Sequence, residues 1–218
     1  MPKSSRVLAA VAAAGVLSLA AAGAAGAAEP AEPTLCDGVL TGVVAGDVIV
    51  PYDATCTLRG ALVRGAVTSE PDAAGLVVDR SVVAGDVAAD AVHRVEIRRS
   101  ALRGALGVVE ARDGATVTSS VVAGPATLAG TGGGLVVGGD TAALGNAFGD
   151  GLTVSGGSAG GTIARNVVRG DLRVSGVAGA LVVRRNLVTG ELGCADNTPA
   201  PTGGGNVAGA ATGQCAAL

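Results

Sequence analysis

Aromatic side chains are almost missing from this chain: no tryptophan, one tyrosine (Tyr52) and one phenylalanine (Phe148) among 218 residues. Ligand clefts for sugars lean on aromatic rings, so a glycan platform has little to be built from. The single histidine, His93, cannot supply a clustered metal-ligand set. No Ser or Asp partner recurs beside it in the repeat described below, and it reads as a residue of a surface turn. Lysine occurs once, as Lys3, so nearly all of the 15 basic residues are arginine. Amphipathic helix patterns are absent as well, which excludes the helical repeat architectures.

What is abundant is glycine, 37 residues, and it is periodic. Arg165-Asn166-Val167-Val168-Arg169-Gly170-Asp171-Leu172 returns as Arg185-Asn186-Leu187-Val188-Thr189-Gly190-Glu191-Leu192. Weaker copies place the corresponding glycine at Gly46, Gly65, Gly85, Gly104, Gly124, Gly145 and Gly209. Two residues before each glycine stands an apolar side chain, among them Val63, Val83, Leu102, Val122, Ala143, Val168, Val188 and Val207. Two residues after it stands another, including Val67, Val87, Leu106, Ala126, Ala147, Leu172, Leu192 and Ala211. The positions between are mixed and often charged. This alternation predicts a strand with one buried face.

A second strand is expected upstream, with Cys56 and Leu58, Leu76 and Val78, Val95 and Ile97, Ala115 and Val117, Val136 and Gly138, Gly161 and Ile163, and Leu181 and Val183 facing inward. The corner between the strands carries Ser81, Ser100, Ser120, Thr141, Asn166 and Asn186, residue types that bond locally to backbone. Short strands repeating every 20 residues or so predict an all-β, single-stranded parallel β-helix, a solenoid of about nine coils. The bias of parallel crossovers makes it right-handed. The LxxLxL and Asn pattern of leucine-rich repeats is missing.

Residues 1–28 open with Lys3 and Arg6 and continue as the apolar run Val7 to Ala28. That is the pattern of a secretory signal peptide, and a run so rich in Ala and Gly favours cleavage near Ala28 over an uncleaved anchor. Residues 29–35 form a short Pro-rich leader, and 36–218 the β-helix domain. Removing residues 1–28 takes two basic residues and no acid, so 15 basic and 18 acidic residues become 13 and 18, a charge of −5. Nucleic acid is therefore not an expected partner, and no second apolar span is expected to hold the chain in a membrane.

Four cysteines in an exported chain suggest two disulfides, for which three pairings exist. Cys36 and Cys56, and likewise Cys194 and Cys215, are separated by about one coil. Partners on adjacent turns would sit about 4.8 Å apart, within disulfide reach. The spacing thus selects Cys36–Cys56 and Cys194–Cys215, one bridge pinning each end. Residues 125–161 are glycine-rich and irregular, and the long step from Gly145 to Gly170 is expected to hold an insertion at residues 155–161.

The ending Cys194-Ala195-Asp196-Asn197-Thr198-Pro199-Ala200-Pro201-Thr202-Gly203-Gly204-Gly205-Asn206, with Gly213-Gln214-Cys215, resembles a family of small secreted β-helix proteins of actinobacteria. So does Val50-Pro51-Tyr52-Asp53-Ala54-Thr55-Cys56-Thr57-Leu58 after Cys36 and the Leu40-Thr41-Gly42 strand. The resemblance covers nearly all of residues 29–218, and the chain departs from it by replacing many repeat Asn residues with Asp, Ala or Pro. It implies the fold and export, and it supplies no catalytic residues.

Some β-helices act on polysaccharide, so a lyase or glycosidase is the alternative reading. A glycosidase needs two carboxylates about 5–10 Å apart. Of Asp47, Asp86, Asp171 and Glu191, each one residue after a glycine, only Asp171 and Glu191 fall on adjacent turns, and they are expected to be solvated. A lyase would draw a calcium site from Asp140, Asn146 and Asp150, and Gly145 to Leu152 is a single degraded copy of a calcium-binding nonapeptide. No catalytic residue, cofactor or metal ligand is therefore assigned. The chain reads as a non-enzymatic extracellular or cell-wall-associated solenoid. Its one distinctive surface is a corner bearing Arg59, Arg80, Arg98, Arg99, Arg165, Arg184 and Arg185, interrupted by Asp79 and Asp140. Stacked arginines there would make two basic patches able to dock an anionic cell-wall polymer or an acidic polysaccharide.

Overall fold

The computed structural model describes residues 31–218. The signal peptide expected at residues 1–28, and the first two residues of the leader at 29–35, lie outside the described residues. The described chain is almost entirely β and winds as a solenoid of about nine turns, about 20 residues apart.

Each turn contributes one segment to each of three stacks of parallel strands. The first stack aligns Cys56, Leu76, Val95, Ala115, Leu135, Gly161 and Leu181. The second, of two-residue strands in most turns, aligns Val63, Val83, Leu102, Val122, Phe148, Val168 and Val188. The third aligns Val48, Val67, Val87, Leu106, Ala126, Leu152, Leu172 and Leu192. Except for Gly161, these residues point into one continuous aliphatic core and are essentially buried. Side chains as small as Val and Leu suffice because three stacks converge on a narrow interior.

The glycine between the second and third stacks is required by crowding. A Cβ on Gly85 would lie 2.7 Å from the backbone N of Ala66 and from the carbonyl oxygen of Gly65. The following aspartates are tied into this corner rather than simply solvated. Asp47 Oδ1 accepts the Ala66 N–H at 2.7 Å, Asp86 the Ala105 N–H at 2.8 Å and Asp171 the Glu191 N–H at 2.8 Å.

The corner between the first and second stacks holds a buried polar ladder. Ser81, Ser100, Ser120, Asn146, Asn166 and Asn186 are all nearly inaccessible. Each side-chain oxygen accepts the backbone N–H of the residue one turn earlier, at 3.0–3.1 Å. Each asparagine also donates its amide to a backbone carbonyl, Asn166 Nδ2 to Val137 O at 3.0 Å, so little buried polarity goes unmatched. The residue before the ladder is left-handed even though it is not glycine: φ is 51° at Arg80, 51° at Arg99, 58° at Arg165 and 54° at Arg185.

Both expected disulfides are present, Cys36–Cys56 with Cα atoms 5.3 Å apart and Cys194–Cys215 with Cα atoms 5.1 Å apart. The sixth coil differs from the sequence reading. The inward residues there are Leu135 and Val137, not Val136 and Gly138. Phe148 and Leu152 replace Ala143 and Ala147 in the core, and Asn146 replaces Thr141 in the ladder. The excursion lies at residues 139–145 and includes a 3-10 turn, Ala142–Leu144. Residues 155–161 are no insertion, because Ser155 pairs with Ser175 and Gly161 with Leu181. Gly145 ends the excursion and so imitates the corner glycine, whose true place is taken by Asp150. The first part of the last turn also shifts by one: Val207 stands opposite Leu187 and is 62% exposed, and Ala208 stands opposite Val188, while Ala211 keeps its expected place opposite Leu192 but is exposed.

Candidate anion-binding face

In a strand, residues i, i+2 and i+4 share a face. The outward side of the second stack is therefore a series of three-residue rows, one per turn. They read Gly60-Leu62-Arg64, Arg80-Val82-Ala84, Arg99-Ala101-Arg103, Ser119-Val121-Ala123, Gly145-Ala147-Gly149, Arg165-Val167-Arg169 and Arg185-Leu187-Thr189. The middle column is aliphatic in every row. The outer columns carry seven arginines. No aspartate or glutamate occupies any of these positions, although the chain as a whole carries more acids than bases.

The predicted corner arginines do not behave alike. Arg80, Arg99, Arg165 and Arg185 share the left-handed column at the edge of this face. Arg98 and Arg184 belong to the end of the first stack. Arg98 pairs with Glu96 at 3.4 Å, and Arg184 with Asp140 on the excursion. Asp79 takes Arg99 at 2.8 Å and Arg80 at 3.2 Å. The hydrogen bond from Arg99 holds the Asp79 carboxyl below its usual value of 3.8, against the opposing effect of burial. The turns of Ser119 and Gly145 separate the Arg80–Arg98–Arg99 group from the Arg165–Arg184–Arg185 group.

Five arginines of the face, Arg64, Arg103, Arg165, Arg169 and Arg185, have no carboxylate partner among the described residues. Arg165 Nε is also buried without a hydrogen-bond partner. Arg64, Arg103 and Arg169 were missing from the sequence-based site. The signal that finds them is the same alternation carried two residues past the aliphatic column.

The carboxylates weighed for an enzyme are placed as follows. Asp171 accepts the Glu191 N–H and pairs with Arg173 at 2.6 Å, and Glu191 takes the Thr212 hydroxyl. Of the residues weighed for calcium, Asn146 is buried in the ladder and Asp140 is paired with Arg184. Among the described residues no group of three or more potential ligands converges on a metal-sized site. Phe148, one of the two aromatic rings, is in the core, while Tyr52 is 68% exposed. His93 lies 3.6 Å from Asp113 in a partly exposed turn. No helix among the described residues is long and apolar enough to cross a membrane. No family model, curated protein or solved structure matches the chain.

Proposed function

We propose that this chain is an exported, non-enzymatic solenoid that docks an anionic component of the cell envelope on the arginine rows of its second stack. Wall polyanions and acidic polysaccharides present that chemistry in polymeric form. The observation that carries the reading is charge segregation: the face has seven arginines, five without a carboxylate partner among the described residues, and no acid in its rows, in a chain with a formal charge of −3. Rigid stacking fixes the spacing of the guanidinium groups before any ligand arrives, so little ordering is needed on binding. Two disulfides and the resemblance to small exported actinobacterial β-helix proteins support a place outside the cell.

The test is retention on isolated cell envelope. Wild type is expected to be retained at low salt and released as salt rises, because exposed charges are screened over about 8 Å at physiological ionic strength. Arg165→Gln with Arg169→Gln is expected to elute early. No retention of wild type at low salt would sink the proposal. New reducing ends or unsaturated products from acidic or neutral glycans, lost in Asp171→Asn or Glu191→Gln, would establish the enzyme reading instead.

A further inference from the structure

Docking of a soluble polyanion uses the arginines and leaves the aliphatic column between them idle. Val121, Val167 and Leu187 are 50%, 42% and 47% exposed in that column. Such side chains offer no hydrogen bond to a sugar or a phosphate. A continuous apolar strip in water is unfavourable until something apolar covers it. Charge decides what the cover is. A second copy laid face to face would set arginine rows against arginine rows, and Asp79, the carboxylate at their edge, is already taken by Arg80 and Arg99. A neutral apolar partner would strip water from the guanidinium groups without pairing them. The matching surface is apolar and edged by anions.

We propose that the second stack is a membrane-docking face whose occupant is a lipid bilayer bearing anionic phospholipid. The inference rests on the anion-docking reading and names lipid as the anionic partner. From strand spacings, the seven rows span about 30 Å along the stack and about 13 Å across it. The Val and Leu side chains meet the acyl boundary. Arginine stems lie along them, and the guanidinium heads reach the phosphates on both flanks. Most acids sit on the third stack and its corners, and Asp79 and Asp140 at the edge of the face are held by Arg80, Arg99 and Arg184, so the face itself turns net positive charge toward the negative lipid.

The test compares co-sedimentation with phosphatidylcholine vesicles, with vesicles that also contain phosphatidylglycerol, and retention on a heparin resin. Wild type is expected to sediment only with the phosphatidylglycerol vesicles and to be retained on heparin. Val167→Ser with Leu187→Ser is expected to lose roughly tenfold or more in vesicle affinity while keeping its heparin retention. Arg165→Gln with Arg169→Gln is expected to lose both. Far-UV circular dichroism and thermal unfolding check that each variant is folded, and the near-isosteric Val167→Thr replaces the serine pair if that pair unfolds. Wild type that binds heparin but no vesicle overturns the bilayer and leaves the anion-docking reading standing. Failure on both supports overturns both. A serine pair that binds vesicles as wild type does overturns the role of the column. Capture of an acidic amphipathic peptide through the same valines, without vesicle binding, overturns the bilayer in favour of a protein partner.

Discussion

Asn166 illustrates how much a single corner residue carries. Its Oδ1 accepts from both the N–H and the Nδ2 of Asn146, and its own amide donates to Val137 O and to Asn186 Oδ1. Asn166→Ala leaves several of these groups buried without partners. A loss of about 3 kcal/mol is expected, read as a lower urea midpoint. Asp79 gives a pH signature. Its carboxyl is depressed in the folded chain, chiefly by the Arg99 hydrogen bond, so protons bind more weakly to the folded than to the unfolded state. The stabilisation is complete above the unfolded value, about 3.9, and is lost as pH falls through the lower folded value. Asp79→Asn is therefore expected to flatten the acid limb of a thermal-unfolding series below about pH 4. The same change frees Arg80 and Arg99 and should strengthen retention on a polyanion.

Among the elements, the excursion at residues 139–145 is the most informative. The ladder step across it spans 26 residues, from Ser120 to Asn146, against 20 for the next step. Deleting residues 139–144 restores the common length and leaves Gly145, free to adopt positive φ, directly before Asn146. The shortened chain is expected to keep its β-sheet circular dichroism and cooperative unfolding; loss of either would mean the excursion is needed to close the coil. The same element explains where sequence reasoning succeeded and stopped. The corner glycines and the valines two residues away are demanded by backbone crowding and by the core in almost every turn, so the period carries them openly. In the sixth turn Gly145 stood at a plausible interval, while Asp150 occupied the real corner with no glycine to mark it. The basic corner was readable as a column of arginines. Asp79 and Asp140 were readable as its interruptions, but the particular pairs were not, because Asp79 meets Arg99 across a coil boundary 20 residues away. The aliphatic column was hidden for a related reason: outward Val and Leu look like core until the register is fixed.

Taken whole, the molecule separates its charges around a circumference. Seven arginines and an aliphatic column occupy one side, and most acids lie on the third stack and the corners flanking it. A chain with a sequence pI of about 5.1 would ordinarily pass through a cation exchanger at pH 7. This one is expected to be retarded there at low ionic strength, and Arg165→Glu with Arg169→Glu is expected to abolish the retardation while changing the unfolding free energy by no more than about 0.5 kcal/mol per substitution. The corner ladder adds a polarity along the other axis. Every backbone N–H in it is satisfied by a side-chain oxygen of the turn that follows, while the asparagine Nδ2 groups also reach back to carbonyls of the turn before. Cutting coils from the C-terminal side therefore leaves an orphaned backbone N–H at the new end, whereas cutting from the N-terminal side orphans a side-chain donor instead, such as Asn166 Nδ2 once Val137 is gone. A chain emerging N-terminus first cannot seal its newest coil until the next one arrives, so the solenoid grows as a zipper whose last tooth is always open.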